Sequence, residues 1–440
     1  MPDRVVLLSI PQLRHRDVSP GALASLDELT GHGAEAELMP AFPGLAGTAF
    51  ATLVTGKDPS EHGLIGNTYF DRAERRVAPF PLPDSAVQAP KLWDHLRTFR
   101  PEARSMLWFL PNSRGAVVDF DAWVDSSWTL GTQPDGLADR LVSRFGPFPS
   151  SSGKPGEEPP RLEATAWILK TASATIAEEL PDLALVRVPY LGKVARRYGP
   201  DGREANRAVR ELEGVLAPFL QSLPKGTAVV VVTESVVTPV TNVVFPNRAL
   251  RDLGLLAVRP CPSGGTDIDL QASAAFALAD HQLCHIYLND PGQAAPVASS
   301  FSSGAFGEGV LGVVASPTQR IALGLDHSRS GDVVLVACPD SWFAPDWWTD
   351  PSEAPGGLDD ASSGLAHATP NGLLNPDHVK GSLGSPPPNE EYLGLLITSH
   401  PEALPKDSPL ALRDIAAIVL DLLGRPKGTP GPVIPSTAAD

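Results

Sequence analysis

Cysteine is nearly absent: Cys261, Cys284 and Cys338 are the three in 440 residues. Their scattered spacing excludes a disulfide framework and supplies no CxxC metal motif, so a reducing cytoplasm is the expected compartment. Basic residues are scarce as well, with 35 Lys and Arg against 51 Asp and Glu, a formal charge of -16 and a pI near 5.1. That balance argues against a nucleic-acid surface, which needs clustered cations to neutralise phosphates, and against an anionic membrane. A small molecule or another protein is the partner expected. The amino-terminal run MPDRVVLLSI is too short to span a bilayer and lacks a long signal-type apolar segment; it reads as a first core strand. No internal repeat is present, and no HExxH metal motif.

What remains is an ordinary globular composition, 42% hydrophobic and 20% charged, sufficient for a large core. Its richness in Ala, Pro, Gly and Arg suggests a bacterial, high-GC origin. Short apolar runs at 5–10, 105–110, 183–188, 228–233 and 333–337 fit strands buried on both faces of a mainly parallel sheet. Three-to-four spacing over 165–180 and 203–223 predicts amphipathic helices to cover it. The class is therefore α/β. One large domain over 1–440 is expected, with a small α/β insertion around 250–330 and a Gly/Pro-rich lid loop at 345–390. The Gly/Pro/Ser stretch at 150–160 is a further loop.

Four segments carry a resemblance. FPGLAGTAFATLVTGKDPSEHGLIGNTYFD (42–71), VPYLGKVARRYGP (188–200), VVVVTESVVTP (229–239) and LRDIAAIVLDLLG (412–424) resemble, in order, the bacterial nucleotide pyrophosphatase/phosphodiesterase-like family of the alkaline phosphatase superfamily. The resemblance implies an alkaline phosphatase-like fold, a mainly parallel sheet sandwiched by helices. It also implies two divalent metals held by Asp and His, and a metal-activated Thr or Ser that attacks phosphorus. Carried over one position at a time, those groups are mostly missing here. Pro11 and Gln12 stand where the family has Asp-Gly, and Ala46 stands at the nucleophile. Gly192 and Arg196 replace the Asp and His of the Asp-x-x-x-His element, Glu234 and Ser235 replace an Asp-His pair, and Leu383 falls at the final His. A two-metal centre held by Glu234 alone is implausible, so no metal and no cofactor are expected.

Several residues are left as candidates, each with a plain structural alternative. Asn67 is retained where the family's Asn donates to a phosphoryl oxygen; the alternative is a turn residue beside Gly66. Thr48 is a substitute nucleophile or a helix cap. Arg196 and Lys193 should point into the cleft, Arg196 either gripping an anionic ligand or pairing with Glu234. Glu234 is a candidate catalytic carboxylate and Ser235 a ligand contact. His367 and His378, in the lid loop, are cleft acids or bases, or solvated loop histidines. Trp347, in a cluster with Trp342, Phe343 and Trp348, packs the lid or offers a face to a flat ligand. His281 and His285 would share a face on a helix, but the IYL that follows reads as strand entry. Asp326 and His327 match a family loop, with a hydrogen-bonded turn as the alternative.

Three functions follow. The first keeps the ancestral cleft for metal-independent chemistry on, or binding of, a small molecule, as in a specialised biosynthetic pathway, with Arg196, Glu234, His378 and Thr48 as catalytic candidates and Asn67, Lys193, Ser235, His367 and Trp347 as ligand contacts. The second is a catalytically silent pseudoenzyme serving as scaffold or protein partner. The third is a metal-dependent phosphodiesterase with displaced ligands.

Overall fold

The structure is a computed structural model that describes the chain except residues 1, 19–20, 126–127, 150–161, 263, 303–305, 307, 356–378, 406–408 and 435–440. The strands that matter here, in chain order, are β1 (Arg4–Ser9), β2 (Ala34–Met39), β3 (Ser105–Trp108), β4 (Phe120–Val124), β5 (Leu130–Gln133), β6 (Leu183–Arg187) and β7 (Thr227–Val232). They are followed by β8 (Ala275–Asp280), β9 (Leu283–Leu288), β10 (Val310–Val314), β11 (Val333–Ala337), β12 (Gly394–Thr398) and β13 (Leu410–Ala411). Nine of them form the main sheet in the order β13-β2-β12-β7-β1-β6-β3-β4-β5. The central run from β7 to β4 is parallel, and the antiparallel pairings lie outside it.

Both faces of that central run are covered, which is why its strands read as unbroken apolar segments. Val6, Leu8, Met106, Ala184 and Val231 face one layer, packed on Ile168 and Ala172 of one helix (Leu162–Glu179) and Leu212 and Leu216 of another (Arg203–Ser222). The alternating set Val5, Leu7, Leu107, Leu185 and Val230 faces the other, packed on α1 (Ala46–Thr55), a helix over Leu92–Phe99 and the carboxy-terminal helix Ile415–Leu422. Both helices expected from the spacing are present, within three residues of the expected start and one of the expected end.

The strand at Val333–Ala337 is a correction. It is apolar throughout but belongs to a separate four-stranded antiparallel sheet, β8-β9-β11-β10, not to the main parallel one. A fully buried strand has the same composition in either sheet, so the sequence pattern cannot separate them. The apparent His281/His285 helix face is a β-hairpin instead: β8 ends at Asp280, His281 turns at φ 61°, and β9 begins at Leu283. No helix among the described residues is long and apolar enough to cross a membrane.

Candidate functional site

In an open sheet with a parallel centre, the carboxyl ends of the strands form the natural binding edge, because the loops that leave them are free to carry chemistry. β1, β6 and β7 end side by side, and the positions singled out from the sequence gather there. Ile10 donates its amide to Val232 O at 2.9 Å and Gln12 donates to Ser235 O at 2.8 Å, so the loop after β1 is laid along the loop after β7. Gln12 adopts φ 73°, a left-handed conformation natural to glycine, at the place where the resemblance puts glycine. Pro11 faces Gly192: a methyl group on Gly192 would stand 3.5 Å from Pro11 Cβ. The two positions that the resemblance assigns to Asp ligands thus converge, but without a carboxylate on either.

Glu234 is wholly buried, and its oxygens are occupied. Oε2 accepts from Ser9 Oγ at 2.7 Å, and Oε1 accepts from Arg187 Nε at 2.7 Å. The expected Arg196–Glu234 pair is therefore corrected: the guanidinium on Glu234 is that of Arg187, the last residue of β6. Sequence reasoning missed Arg187 because it was absorbed into the run LALVRV; the available signal was a lone cation closing an otherwise apolar buried strand.

Arg196 sits half-buried in the last turn of α2 (Tyr190–Tyr198). Burial lowers its pKa to about 10, with Asp280 opposing that shift and Arg187 adding to it. Asp280, also missed, ends β8 and is 3% exposed. It accepts from Asn67 N at 2.8 Å and from Asn67 Nδ2 at 3.0 Å. Burial raises its pKa to about 6 against those bonds and the pull of Arg196. Asn67 Oδ1 in turn accepts from Gly47 N at 2.8 Å. The retained Asn thus turns its side chain to protein groups, joining Asp280 to the start of α1.

That start also disposes of Thr48 as a cap. The residue before the helix is Leu45, Ala46 is first, and the amide of Gly47 is satisfied from outside by Asn67. Thr48 is fully buried in the first turn, its hydroxyl without a hydrogen-bond partner among the described residues. Gly47 is tightly enclosed, since a Cβ there would lie 3.0 Å from Asn112 Nδ2 and 3.1 Å from Asn67 Oδ1 and would push on both side chains.

The other candidates scatter. Lys193 is exposed with its ammonium 4.8 Å from the centre of the Trp128 ring. Ser235 is buried and contributes its carbonyl to Gln12. Trp347, 1% exposed, belongs to the core of the smaller sheet, with Nε1 donating to Thr266 Oγ1 at 3.0 Å; a ligand face is excluded by its burial. His367 and His378 lie outside the described residues. His285 Nδ1 accepts from Gly331 N and its Nε2 meets Ile65 O, both at 3.1 Å, while burial drives its pKa down to about 4. Burial beside Arg196 pushes the neighbouring His281 well below its usual range, so both imidazoles are neutral. His327 accepts from Arg329 N at 3.2 Å and meets Gln88 Oε1 at 3.0 Å, a hydrogen-bonded turn. It borders a polar cavity of about 310 Å³ that also takes in Arg72, Arg320 and Asp332 and none of the strand-edge residues.

Leu383 is 6% exposed in an apolar cluster with Leu45, Ile65, Ala195, Val237 and Leu283. Leu45 precedes the nucleophile position and Ala195 precedes Arg196, so the cluster ties the chain together beside both positions. Its backbone fits closely: a Cβ on Gly381 would lie 2.5 Å from Ala195 O.

A two-metal centre does not fit these residues. The positions the resemblance assigns to ligands offer one carboxylate, and Arg187 and Ser9 already hold it. Among the described residues, no group of three or more His, Cys, Asp or Glu side chains could hold a metal ion.

The sheet topology and flanking layers are those of an alkaline phosphatase-like α/β protein. Residues 5–362 match the family described as type I phosphodiesterase / nucleotide pyrophosphatase, and the chain belongs to that family. An uncharacterized pyrophosphatase/phosphodiesterase of Schizosaccharomyces pombe is 24% identical over 230 residues, covering 50% of this chain and 41% of the yeast protein, so the match spans less than half of that relative. Among solved structures, phosphonoacetate hydrolase from Sinorhizobium meliloti in complex with phosphonoformate superposes with a TM-score of 0.65 at 16% identity, over 96% of each chain. Murine ectonucleotide pyrophosphatase / phosphodiesterase 5, as an inactive threonine-to-alanine variant in complex with AMP, gives 0.61 at 14% identity over 96% of this chain and 95% of that one. At such identities the likeness establishes the fold alone.

Proposed function

We propose that this chain is a phosphodiesterase-family protein that has lost the two-metal hydrolytic centre and serves as a non-hydrolytic, metal-independent member of the family. The observation that carries this is the state of Glu234, fully buried with Arg187 on one oxygen and Ser9 on the other. A divalent cation would have to displace a guanidinium there, and would still lack further ligands and a nucleophile, since Ala46 has no hydroxyl. The filled ground around Leu383 favours a catalytically silent scaffold or protein partner over turnover of a substrate in a deep cleft.

A second reading, binding of a small molecule at the strand edge in a specialised pathway, is favoured by half-buried Arg196 and by the AMP bound to the murine threonine-to-alanine variant. That protein pairs an alanine substitution with a bound nucleotide, and Ala46 stands at the family's nucleophile position here. The cytoplasm suits either reading, as Cys261, Cys284 and Cys338 form no disulfide.

The test is hydrolysis of a generic aryl phosphodiester by purified protein with zinc or manganese added, beside a nucleophile-intact relative. No turnover is expected, and none from Ala46→Thr either, because a hydroxyl without metals remains a poor nucleophile. Metal-dependent turnover by the unaltered chain would overturn the proposal.

A further inference from the structure

Two buried carboxylates reach the strand edge from different parts of the fold. Glu234 follows β7 and is 0% exposed; Asp280 ends β8 of the smaller sheet and is 3% exposed. A buried carboxylate requires a countercharge and filled acceptor sites. In the family as the resemblance describes it, carboxylates at this edge meet divalent metals. Here Glu234 meets an arginine fixed to the scaffold, and Asp280 meets Asn67. Arg187 Nε and Nη2 both reach Glu234 Oε1, at 2.7 and 2.5 Å, while Ser9 Oγ holds Oε2, so that β1, β6 and the loop after β7 are stapled at their carboxyl ends. The two oxygens of Asp280 fasten the backbone and side chain of Asn67.

We propose that Arg187 is a built-in cation standing in for a metal of the family, positioning Glu234 and, through it and Ser9, the carboxyl ends of β1, β6 and the loop after β7. This rests on the non-hydrolytic reading above. The burial gradient supports it: the Glu234 side chain is shut away, whereas the Arg187 side chain is 18% exposed.

The experiment is thermal melting of the full chain with chelator, with zinc and with manganese, for the wild type, Arg187→Met, Glu234→Gln and the Arg187→Met/Glu234→Gln double variant. Arg187→Met should drop the melting temperature by roughly 3–5 °C, or prevent folding, by stranding a buried charge. The double variant, in which nothing charged is stranded, should recover most of that loss. A double variant as unstable as Arg187→Met overturns the inference and leaves the non-hydrolytic reading standing. Stabilisation of the wild type by zinc, with the variants behaving as expected, would instead sink the non-hydrolytic reading.

Discussion

Leu383→Asp should destabilise the protein by about 3 kcal/mol or more, read as a lower urea midpoint with the slope unchanged. Leu383 is 6% exposed among Leu45, Ile65, Ala195, Val237 and Leu283, an apolar setting for a carboxylate. Losing a buried leucine side chain costs about 2–3 kcal/mol on its own. An unpaired acid in the same place either stays charged or takes up a proton, and both states cost more. The family's own residue there is histidine, by the resemblance, so Leu383→His adds a useful comparison. In a filled cleft it too should destabilise without bringing hydrolysis. Should Leu383→Asp instead be tolerated within about 1 kcal/mol, the position faces water, the cleft is open, and the scaffold reading fails.

What the sequence disclosed and what it withheld divide along physical lines. The parallel core was legible because strands covered on both faces must be continuously apolar, as Val5–Leu8 and Ala228–Val232 are. The losses at the site were legible because Pro11, Ala46 and Gly192 lack the needed atoms wherever they lie. Gains could not be read in that way. Arg187 and Asp280 are 93 residues apart in sequence, and nothing local to either says that one will meet Glu234 and the other Asn67. Thr48 misled for a related reason: a threonine near a helix start is a plausible cap on sequence, but here the amide of Gly47 is satisfied across 20 residues by Asn67. Trp347 misled because aromatic residues beside a Gly/Pro-rich loop look the same whether they line a cleft or fill a core, and only its burial against Thr266 decides.

Asp121→Asn should stabilise the protein at pH 8 and do so much less at pH 5. Asp121, on β4, is 1% exposed; Ser113 Oγ donates to its Oδ1 at 3.0 Å, and its Oδ2 has no hydrogen-bond partner among the described residues. Burial raises its pKa from 3.8 to about 7, the Ser113 bond working against that rise and the charge of Asp84 adding to it. A carboxyl whose folded pKa lies above its unfolded one stabilises most below about pH 4, where both states are protonated, and loses ground as pH climbs toward 7. Above that, the folded protein carries a buried carboxylate whose penalty approaches about 4 kcal/mol at one unit per 1.36 kcal/mol. Asparagine has the same shape, keeps an acceptor for Ser113 and never ionises, so it removes most of that penalty at pH 8. At pH 5 the folded carboxyl is still protonated but the unfolded one is mostly ionised, so roughly a third of that penalty is present and the substitution removes correspondingly less. The measurement is a pair of urea titrations, one at each pH. A gain of the same size at both would show that Asp121 is not titrating in this range, and a loss at pH 8 would show that its charge is held by a cation that the described residues do not provide.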